Sequence, residues 1–300
     1  MDKQVQAVPG SVQRPGSDGA REQSTTPWAN MKTFLKTHLP RNLVLEVQKR
    51  RYAKVIRSGM REKEFDVIKY LVSPGDSVAD LGANMGIYSV FLSGLVGRTG
   101  RVYSVEPIRY TYTILQYVVR TLDLTNVKTF ECAVSDREGT QTMLLPAYET
   151  GELNLYEAKI AESDSSPGQR RESVETRMVD SILPYDSERL SFIKCDVEGH
   201  ELSCLKGAFK TIRTCQPAWL MEVWGNPDDE QSQANQTFQL MESEGYFPFV
   251  FDGKRLKRRG PGDISTNYFF LTKRHTQELE KQQHHSIDFE WNNNEEKGRM

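Results

Sequence analysis

Residues 78–88 read Val-Ala-Asp-Leu-Gly-Ala-Asn-Met-Gly-Ile-Tyr, a short apolar strand followed by a tight turn and the start of a helix. Gly82 and Gly86 lack a Cβ at the points where the chain must turn sharply, and this also lets a ligand approach the backbone. The helix that follows has unpaired N–H groups at its start. The combination predicts a nucleotide-cofactor pocket in an α/β domain.

A second predicted strand, at 101–106, ends in Glu106, and an acid at this spacing can hold the two ribose hydroxyls of an adenosine. The turn reads G-A-N-x-G, so it lacks the third glycine of the dinucleotide pattern G-x-G-x-x-G. Asp80 precedes the turn, where a carboxylate would repel a pyrophosphate but attract a cofactor with a positive charge and an amino-acid tail. The turn therefore favours S-adenosylmethionine over NAD.

Four blocks of sequence together resemble one family: D-L-G-A-N-x-G-x-Y from Asp80, V-E-P at 105–107, A-V-S-D at 133–136 and I-K-C-D-V-E-G-H-E at 193–201. The chain resembles the FkbM-type S-adenosylmethionine-dependent methyltransferases over roughly 60–273, and the last block is the most family-specific. The resemblance implies a Rossmann-like class I methyltransferase. It also implies O-methylation of a hydroxyl on a sugar, a glycan precursor or a polyketide-type small molecule.

The order of apolar runs predicts the fold. Short β-rich segments alternate with helical ones beyond residue 74, which indicates parallel βαβ units. We expect a seven-stranded, mostly parallel sheet with an antiparallel last strand, an N-terminal helical cap and an inserted β-hairpin. Strands are predicted near 77–81, 101–106, 127–132, 190–195, 217–223, 247–251 and 266–272, and helices near 86–96, 108–123, 200–213 and 231–245.

Composition divides the chain into four parts. Polar, glycine- and proline-rich sequence predicts a disordered tail at 1–30, and similar sequence predicts another at 275–300. The helical cap is predicted at 31–73 and the methyltransferase domain at 74–274. Within that domain, a segment of about 139–180 alternates like paired strands, with a polar loop near 162–171. We interpret it as the inserted hairpin, with a mobile tip, on the substrate side of the sheet.

Charge and cysteine usage exclude several classes. The 300 residues carry a formal net charge of −2, which gives no general attraction to DNA or to an anionic membrane. No apolar run is long enough for a membrane span and no signal peptide is evident, so we expect a cytoplasmic protein. The cysteines form no C-x-x-C pair, which favours packed thiols over a zinc site. Sequence leaves the oligomeric state open.

Cofactor-binding residues are predicted where strands end, because ligands of open α/β sheets bind outside the carboxyl ends of the strands. Tyr88, like Trp224, is a candidate to flank the sulfonium by cation–π contact. The resemblance implies that 133–136 contact the adenine, although Asp136 also suits a turn that bonds its own backbone. The predicted set is Asp80, Gly82, Ala83, Asn84, Gly86, Tyr88, Glu106, Pro107, Ala133, Val134, Asp136 and Asp196.

Three residues near the fourth predicted strand are candidates for catalysis. A sulfonium methyl group is already activated, so the protein must align an acceptor oxygen and remove its proton. Glu198 is the first candidate for that base and His200 the second, while Asp196 would bring sulfonium and acceptor together. Asp196 and Glu198 could instead favour the start of the next helix, and His200 could be a surface histidine. A divalent metal on Asp196, Glu198 and Glu222 is possible, but the spacing does not imply one.

The same sequence also allows other interpretations. The basic run 254–259 is predicted to be a solvated turn between the last two strands, or alternatively an anion-binding lip for a phosphorylated or acidic acceptor. The chain could also be a scaffold that binds S-adenosylmethionine without turnover, or a methyltransferase for a protein or RNA acceptor. An NAD-dependent oxidoreductase is disfavoured by the altered glycine turn.

Overall fold

The structure is a computed structural model that describes residues 41–145, 159–160, 170–184, 190–281 and 288–290. The chain divides into two compact units, Met1–Val44 and Leu45–Met300. All the elements below belong to the second unit, apart from the first residues of the helix that begins at Arg41. The predicted tail at 1–30 and the start of the predicted cap lie outside the described residues.

A central sheet carries the predicted strands. Its strands, in sheet order, are β13 (Asp288–Glu290), β11 (Arg255–Arg258), β10 (Tyr246–Phe251), β12 (Asn267–Thr272), β9 (Ala218–Glu222), β8 (Leu190–Cys195), β1 (Ser77–Leu81), β2 (Arg101–Val105) and β3 (Val127–Phe130). Strands β3, β2, β1, β8 and β9 run parallel, and β12 is antiparallel to β9 and β10. This confirms the α/β fold with a mostly parallel sheet and an antiparallel last predicted strand.

Helices cover both faces of this sheet. They are α1 (Arg41–Arg57), α2 (Phe65–Leu71), α3 (Ile87–Val96), α4 (Arg109–Thr121), α5 (Val179–Ile182), α6 (Glu201–Lys206), α7 (Phe209–Cys215), α8 (Gln233–Ser243) and α9 (Lys273–Lys281). Helices α5 to α8 bury apolar side chains in one core cluster, and α2, α3 and α9 do so in another. Every residue of β1 and β8 is buried, as expected for parallel strands covered on both faces. No helix of the described residues is both long and apolar enough to cross a membrane.

The insertion forms a small second sheet of β4 (Ala133–Val134), β7 (Arg170–Arg177), β5 (Gly139–Leu145) and β6 (Lys159–Ile160). Strands β5 and β7 pair antiparallel, with Gly139 opposite Thr176, and form the expected hairpin. Strand β4 pairs parallel with β7, which attaches the insertion to the chain just after β3. Most of the predicted polar loop at 162–171 lies outside the described residues, but Arg170 and Arg171 belong to β7.

Two predicted element boundaries are wrong. The helix predicted at 200–213 is two helices, α6 and α7, separated by Gly207 and Ala208; a Cβ on Gly207 would lie 2.0 Å from the carbonyl oxygen of Ser135. The basic run 254–259 is mostly strand β11, whose Leu256 is fully buried. The turn comes earlier, at Asp252, whose carboxylate accepts hydrogen bonds from the backbone of Lys254 and Arg255.

The predicted disordered tail at 275–300 is also wrong in part. Residues 275–281 belong to α9, in which His275, Thr276 and Leu279 are buried on one side of the helix. Strand β13 adds a parallel edge to β11, so the sheet has nine strands among the described residues instead of seven. Polar composition concealed these short elements, because only a few of their side chains are apolar.

Candidate active site

A pocket opens at the carboxyl ends of β1, β2 and β8, the edge where the sequence predicted a ligand. The insertion contributes to its wall through β5 and β6. The lining residues are Gly82, Asn84, Val105, Glu106, Pro107, Ile108, Cys132, Ala133, Val134, Met143, Ile160, Asp196, Val197, Glu198 and His200. The residues predicted from four separate sequence blocks therefore meet in one place.

The glycine turn after β1 is fixed by close contacts. Gly82 has φ +75°, and a Cβ there would lie 1.8 Å from the carbonyl oxygen of Asp196. The sequence analysis attributed this glycine to ligand approach, whereas the atom nearest to its missing side chain is backbone of the neighbouring turn. The backbone N–H groups of Gly82 and Ala83 donate to the Val105 carbonyl at 2.9 Å. The turns after β1 and β8 are consequently packed together as one unit.

Glu106 is buried at the end of β2 and accepts three hydrogen bonds. They come from the Asn84 N–H at 2.8 Å, the Ile108 N–H at 2.9 Å and the Thr111 hydroxyl at 2.7 Å. Burial raises the pKa of Glu106, and these donors oppose that shift. Asn84 has φ +48°, and its side-chain oxygen is buried without a hydrogen-bond partner among the described residues. The pocket thus has a fixed carboxylate beside an amide oxygen that lacks a partner.

Behind the pocket, a polar row crosses three strands. Asp80 is fully buried and lies opposite both Ser104 and Lys194 in the strand register. Its carboxylate accepts from the Ser89 hydroxyl at 2.6 Å, and Lys194 Nζ lies 3.7 Å away. Burial raises the pKa of Asp80, while Lys194 and Ser89 oppose the rise. Asp80 therefore orients α3 and Lys194 and does not line the pocket.

Lys194 is a residue that the sequence analysis did not single out. Its ammonium group lies 3.1 Å from Asp196 and donates to the Gly82 carbonyl at 2.9 Å. Burial alone would lower the pKa of Lys194, but Asp196 and Asp80 raise it above the ordinary value. The lysine ties the glycine turn to the end of β8 and balances part of the negative charge there.

Asp196, Glu198 and Glu222 form an acidic group at the ends of β8 and β9. Glu222 follows Met221, which lies opposite Cys195 in the register, so its side chain is adjacent to Asp196. Burial, then the charge of Asp196 and a hydrogen bond to it, raise the pKa of Glu222 to about 8. Among the described residues no three His, Cys, Asp or Glu side chains are arranged to hold a metal ion.

Glu198 and His200 both line the pocket, but their surroundings differ. Glu198 has φ +54°, a left-handed conformation that is uncommon outside glycine. His200 Nε2 lies 3.0 Å from the Ser135 hydroxyl, which donates to Asp136 at 3.2 Å. Because that hydroxyl has one proton, it accepts from Nε2–H, and the other ring nitrogen keeps its lone pair. Burial lowers the pKa of His200, so the ring is neutral near pH 7.

The contact with Ser135 assigns His200 to one end of the pocket. Ser135 directly follows β4, so His200 lies on the same side as Ala133 and Val134, where the resemblance implied adenine contacts. Asp136 does not line the pocket and instead accepts the Ser135 hydroxyl. Asp136 and His200, for which separate roles were predicted, are thus linked by hydrogen bonds through the Ser135 hydroxyl.

Some predicted site residues lie outside the pocket lining. Ala83 and Gly86 shape the turn, and a Cβ on Gly86 would lie 2.8 Å from Leu115. The Tyr88 ring packs edge-on against Phe65 at 5.1 Å between centroids, and Lys194 Nζ lies 5.3 Å from its centroid. Tyr88 thus contacts a lysine of the protein itself, and its predicted contact to a sulfonium stays a prediction.

Other lining residues were missed. Val105, Ile108 and Cys132 read as core residues because they belong to apolar runs, and Val197 has an apolar side chain next to the predicted acids. Met143 and Ile160 come from the insertion, which was predicted on the substrate side of the sheet, but the sequence did not indicate which of its residues reach the pocket. Glu222 was named only as one oxygen ligand of a possible metal. The alternation of charged residues at 194, 196 and 198 was the available signal for Lys194.

The cations of the basic run 254–259 have partners within the protein. Four of its five cations pair with acids: Lys254 with Asp288, Arg255 with Glu290, Lys257 with Asp263, and Arg259 with Asp228. The fifth, Arg258, lies over the Phe247 ring, 5.0 Å from its centroid. Positive charge in this run is therefore balanced within the protein.

Comparisons with known proteins agree with this geometry. The family model described as the methyltransferase FkbM domain matches residues 80–248, more than half of the chain. A curated relative, methyltransferase sdnD of Sordaria araneosa, is 27% identical over 154 residues, which span 43% of this chain and 59% of that protein. The chain therefore matches less than two thirds of that relative's length.

The chain is also similar to solved structures of methyltransferases, at low sequence identity. The FkbM methyltransferase of Methylobacillus flagellatus has a TM-score of 0.43 and 17% identity, covering 75% of this chain and 59% of its own. Fibrillarin of Aeropyrum pernix, solved with S-adenosylmethionine, has a TM-score of 0.41 and 16% identity, covering 69% of this chain and 72% of its own. Both TM-scores are below 0.5, so the family assignment rests on the sequence match alone. On the sequence match across its pocket and central strands, the chain belongs to the FkbM methyltransferase family.

Proposed function

We propose that this protein is an S-adenosylmethionine-dependent methyltransferase that methylates a hydroxyl oxygen. The observation that carries the proposal is the pairing of Glu106 with Asn84 at the strand-end pocket. The Glu106 carboxylate is held by three donors, and the Asn84 amide oxygen is buried without a partner beside it. An adenosine ribose and an amino-acid tail offer the donors that such oxygens accept.

The residues present fit this cofactor. Glu106 would hold the ribose, with Pro107, Ile108, Ala133 and Val134 forming an apolar wall for the adenine. Asp196 also lines the pocket, with a buried carboxylate oxygen, Oδ1, near Glu222. This oxygen and Asn84 Oδ1 suit the ammonium group of the methionine part. Asp196, instead of Asp80, is thus the carboxylate that would attract the positively charged part of the cofactor.

The cofactor, when bound, supplies a methyl group that its sulfonium already activates. The protein must orient the acceptor hydroxyl and remove its proton. We assign that base to Glu198, which lines the pocket and belongs to the acidic group at the ends of β8 and β9. His200 is the alternative, but its bond to Ser135 holds it on the adenine side.

Calorimetry of the full chain with S-adenosylmethionine, S-adenosylhomocysteine and NAD tests the cofactor. We expect both adenosyl ligands to bind and NAD not to bind. Replacing Glu106 by Gln introduces a donor where the carboxylate accepts from three groups, so affinity should fall about tenfold or more. Binding of NAD in preference to the adenosyl ligands would overturn the proposal.

Glu198→Gln tests the base. The change keeps the size of the side chain but removes the proton-accepting oxygen, so turnover should fall about 100-fold or more while S-adenosylhomocysteine affinity is unchanged. His200→Gln is the matched comparison, and it should lower cofactor affinity more than turnover. The opposite pattern would assign the base to His200, and no turnover by the unaltered chain across an acceptor screen would support the scaffold interpretation.

The acceptor is proposed from the resemblance and from the pocket's chemistry. We favour a hydroxyl on a sugar, a glycan precursor or a polyketide-type small molecule, and we expect the reaction in the cytoplasm. A protein or RNA acceptor is the alternative. A screen with methyl-tritiated cofactor distinguishes them, because label would appear in a small soluble product in the first case and in a macromolecular precipitate in the second.

A further inference from the structure

Two large apolar side chains are exposed on neighbouring loops that adjoin the end of β9. Trp224 is 44% exposed and Ile264 is 65% exposed. They lie on the loops that follow β9 and precede β12, and these antiparallel strands place Glu222 opposite Asn267. The Val223 N–H donates to the Thr266 carbonyl at 2.8 Å, so the two loops leave the sheet side by side. We call Trp224 and Ile264 the acceptor lip.

Arg259 joins the two loops that carry the acceptor lip. Its guanidinium lies 2.6 Å from Asp228 in the loop after β9, and its Nε donates to the Asp263 carbonyl at 3.0 Å in the loop before β12. Asp228 also accepts from the Gly262 N–H at 2.8 Å. Only 9% of the Arg259 side chain is exposed. The apolar side chains are thus displayed from loops that are already fixed, which lowers the cost of ordering them on binding.

The charges near the acceptor lip are negative. Glu222 lies two residues before Trp224, and burial, followed by the charges of Asp196 and Glu198, raises its pKa to about 8. Glu222 is therefore protonated at neutral pH, and the negative charge near the lip comes from Asp196 and Glu198. The nearest basic run is paired with acids, as described above, and Lys194 is buried between Asp80 and Asp196. A phosphate or carboxylate on the acceptor would meet carboxylates here, whereas hydroxyl groups would find hydrogen-bond acceptors.

We propose that the acceptor lip binds an electrically neutral acceptor that offers a flat apolar ring face and several hydroxyl groups. Trp224 and Ile264 contact the ring face, and Glu222 and Glu198 accept hydrogen bonds from hydroxyls at its rim. Acceptors carrying a phosphate or a nucleoside diphosphate are rejected. This inference rests on the proposed function, since it assigns the acceptor side of the same site.

The test uses a matched pair of probes, phenyl β-D-glucopyranoside and its 6-phosphate. Their affinities for the full chain, saturated with S-adenosylhomocysteine, are measured by saturation-transfer NMR at low salt. We expect the neutral glycoside to bind about tenfold more tightly than the phosphate, and this difference to shrink as salt rises. Trp224→Ala should weaken the neutral probe about tenfold. Val55→Ala, at an exposed apolar residue of α1, should leave it unchanged.

Each outcome bears on the proposal. Equal binding of the two probes, no binding of the neutral probe, or an unchanged affinity in Trp224→Ala would overturn it. Arg259→Met should weaken the neutral probe as Trp224→Ala does, and its circular dichroism and S-adenosylhomocysteine affinity show whether the fold is kept. Calorimetry with S-adenosylhomocysteine separates the two proposals, because loss of the acceptor lip leaves cofactor binding intact whereas failure of the proposed function removes it.

Discussion

At the scale of single residues, Gly82 decides whether the pocket can form. Two physical demands coincide there: a left-handed φ that disfavours any Cβ, and a backbone oxygen of Asp196 where that Cβ would lie. Lys194 then bonds the Gly82 carbonyl and the Asp196 carboxylate at once. The turn is therefore specified by contacts with β8, in addition to its own sequence.

Gly82→Ala should destabilise the fold by about 3 kcal/mol or more and abolish binding of S-adenosylhomocysteine, because strain and a backbone clash add together. Gly59→Ala is the matched control: Gly59 has φ +89° but no atom within 4 Å of its missing Cβ. It should cost only about 1–2 kcal/mol and leave binding unchanged. Urea unfolding and calorimetry measure both effects, and similar costs for the two variants would contradict the clash argument.

At the scale of elements, the break between α6 and α7 depends on Asp180 of α5. Its carboxylate accepts from the Lys210 N–H at 2.9 Å, the Thr211 N–H at 2.8 Å and the Thr211 hydroxyl at 2.8 Å. These bonds satisfy donors that the start of α7 leaves unpaired. The segment that reads as one helix in the sequence is thus divided by a cap supplied from elsewhere in the chain.

Asp180→Ala should lower the free energy of unfolding by about 1–2 kcal/mol, because α7 loses this cap. Asp180→Asn keeps one acceptor oxygen and should cost less. Urea denaturation of both variants measures the difference, with S-adenosylhomocysteine affinity as the check that the pocket is intact. If the Ala and Asn variants were equally stable, the carboxylate would not act as the cap.

The strands could be predicted from the sequence, whereas the site could be predicted only in part. Apolar runs bounded by acids and glycines fixed the ends of β1 and β8, because a fully buried strand needs such a run. The acids at 106 and 196 were predicted for the same reason. The contact of Ser135 with His200, the bond of Glu222 to Asp196 and the neighbourhood of Trp224 and Ile264 depend on strand order and long-range packing, which local periodicity does not encode.

At the scale of the whole molecule, stability should fall as pH rises through the neutral range. Burial, followed by the charge of Asp196, raises the pKa of Glu222 to about 8, and burial raises that of Glu201 to about 7, both from 4.5. Between 4.5 and these values the folded protein keeps protons that the unfolded chain releases. The native state therefore binds more protons, and its stability declines with pH across this window.

Glu222→Gln removes one of these groups, so the decline between pH 4.5 and 8 should become shallower. Urea denaturation at a series of pH values measures the slope. Glu46→Gln, at an exposed residue of α1, is the control and should keep the slope of the unaltered chain. An unchanged slope in Glu222→Gln would mean that Glu222 has the same pKa in the folded and unfolded states.

The contact between Gly82 and Asp196 also limits how such proteins can be recombined. The two turns that touch there come from distant parts of the chain, and their backbones are too close to leave room for a side chain at Gly82. A chimera with a crossover between them would join turns that were never selected together. The two loops that Arg259 joins contact each other through Asp228 and Gly262, so an exchange aimed at the acceptor side should replace both loops together with Arg259.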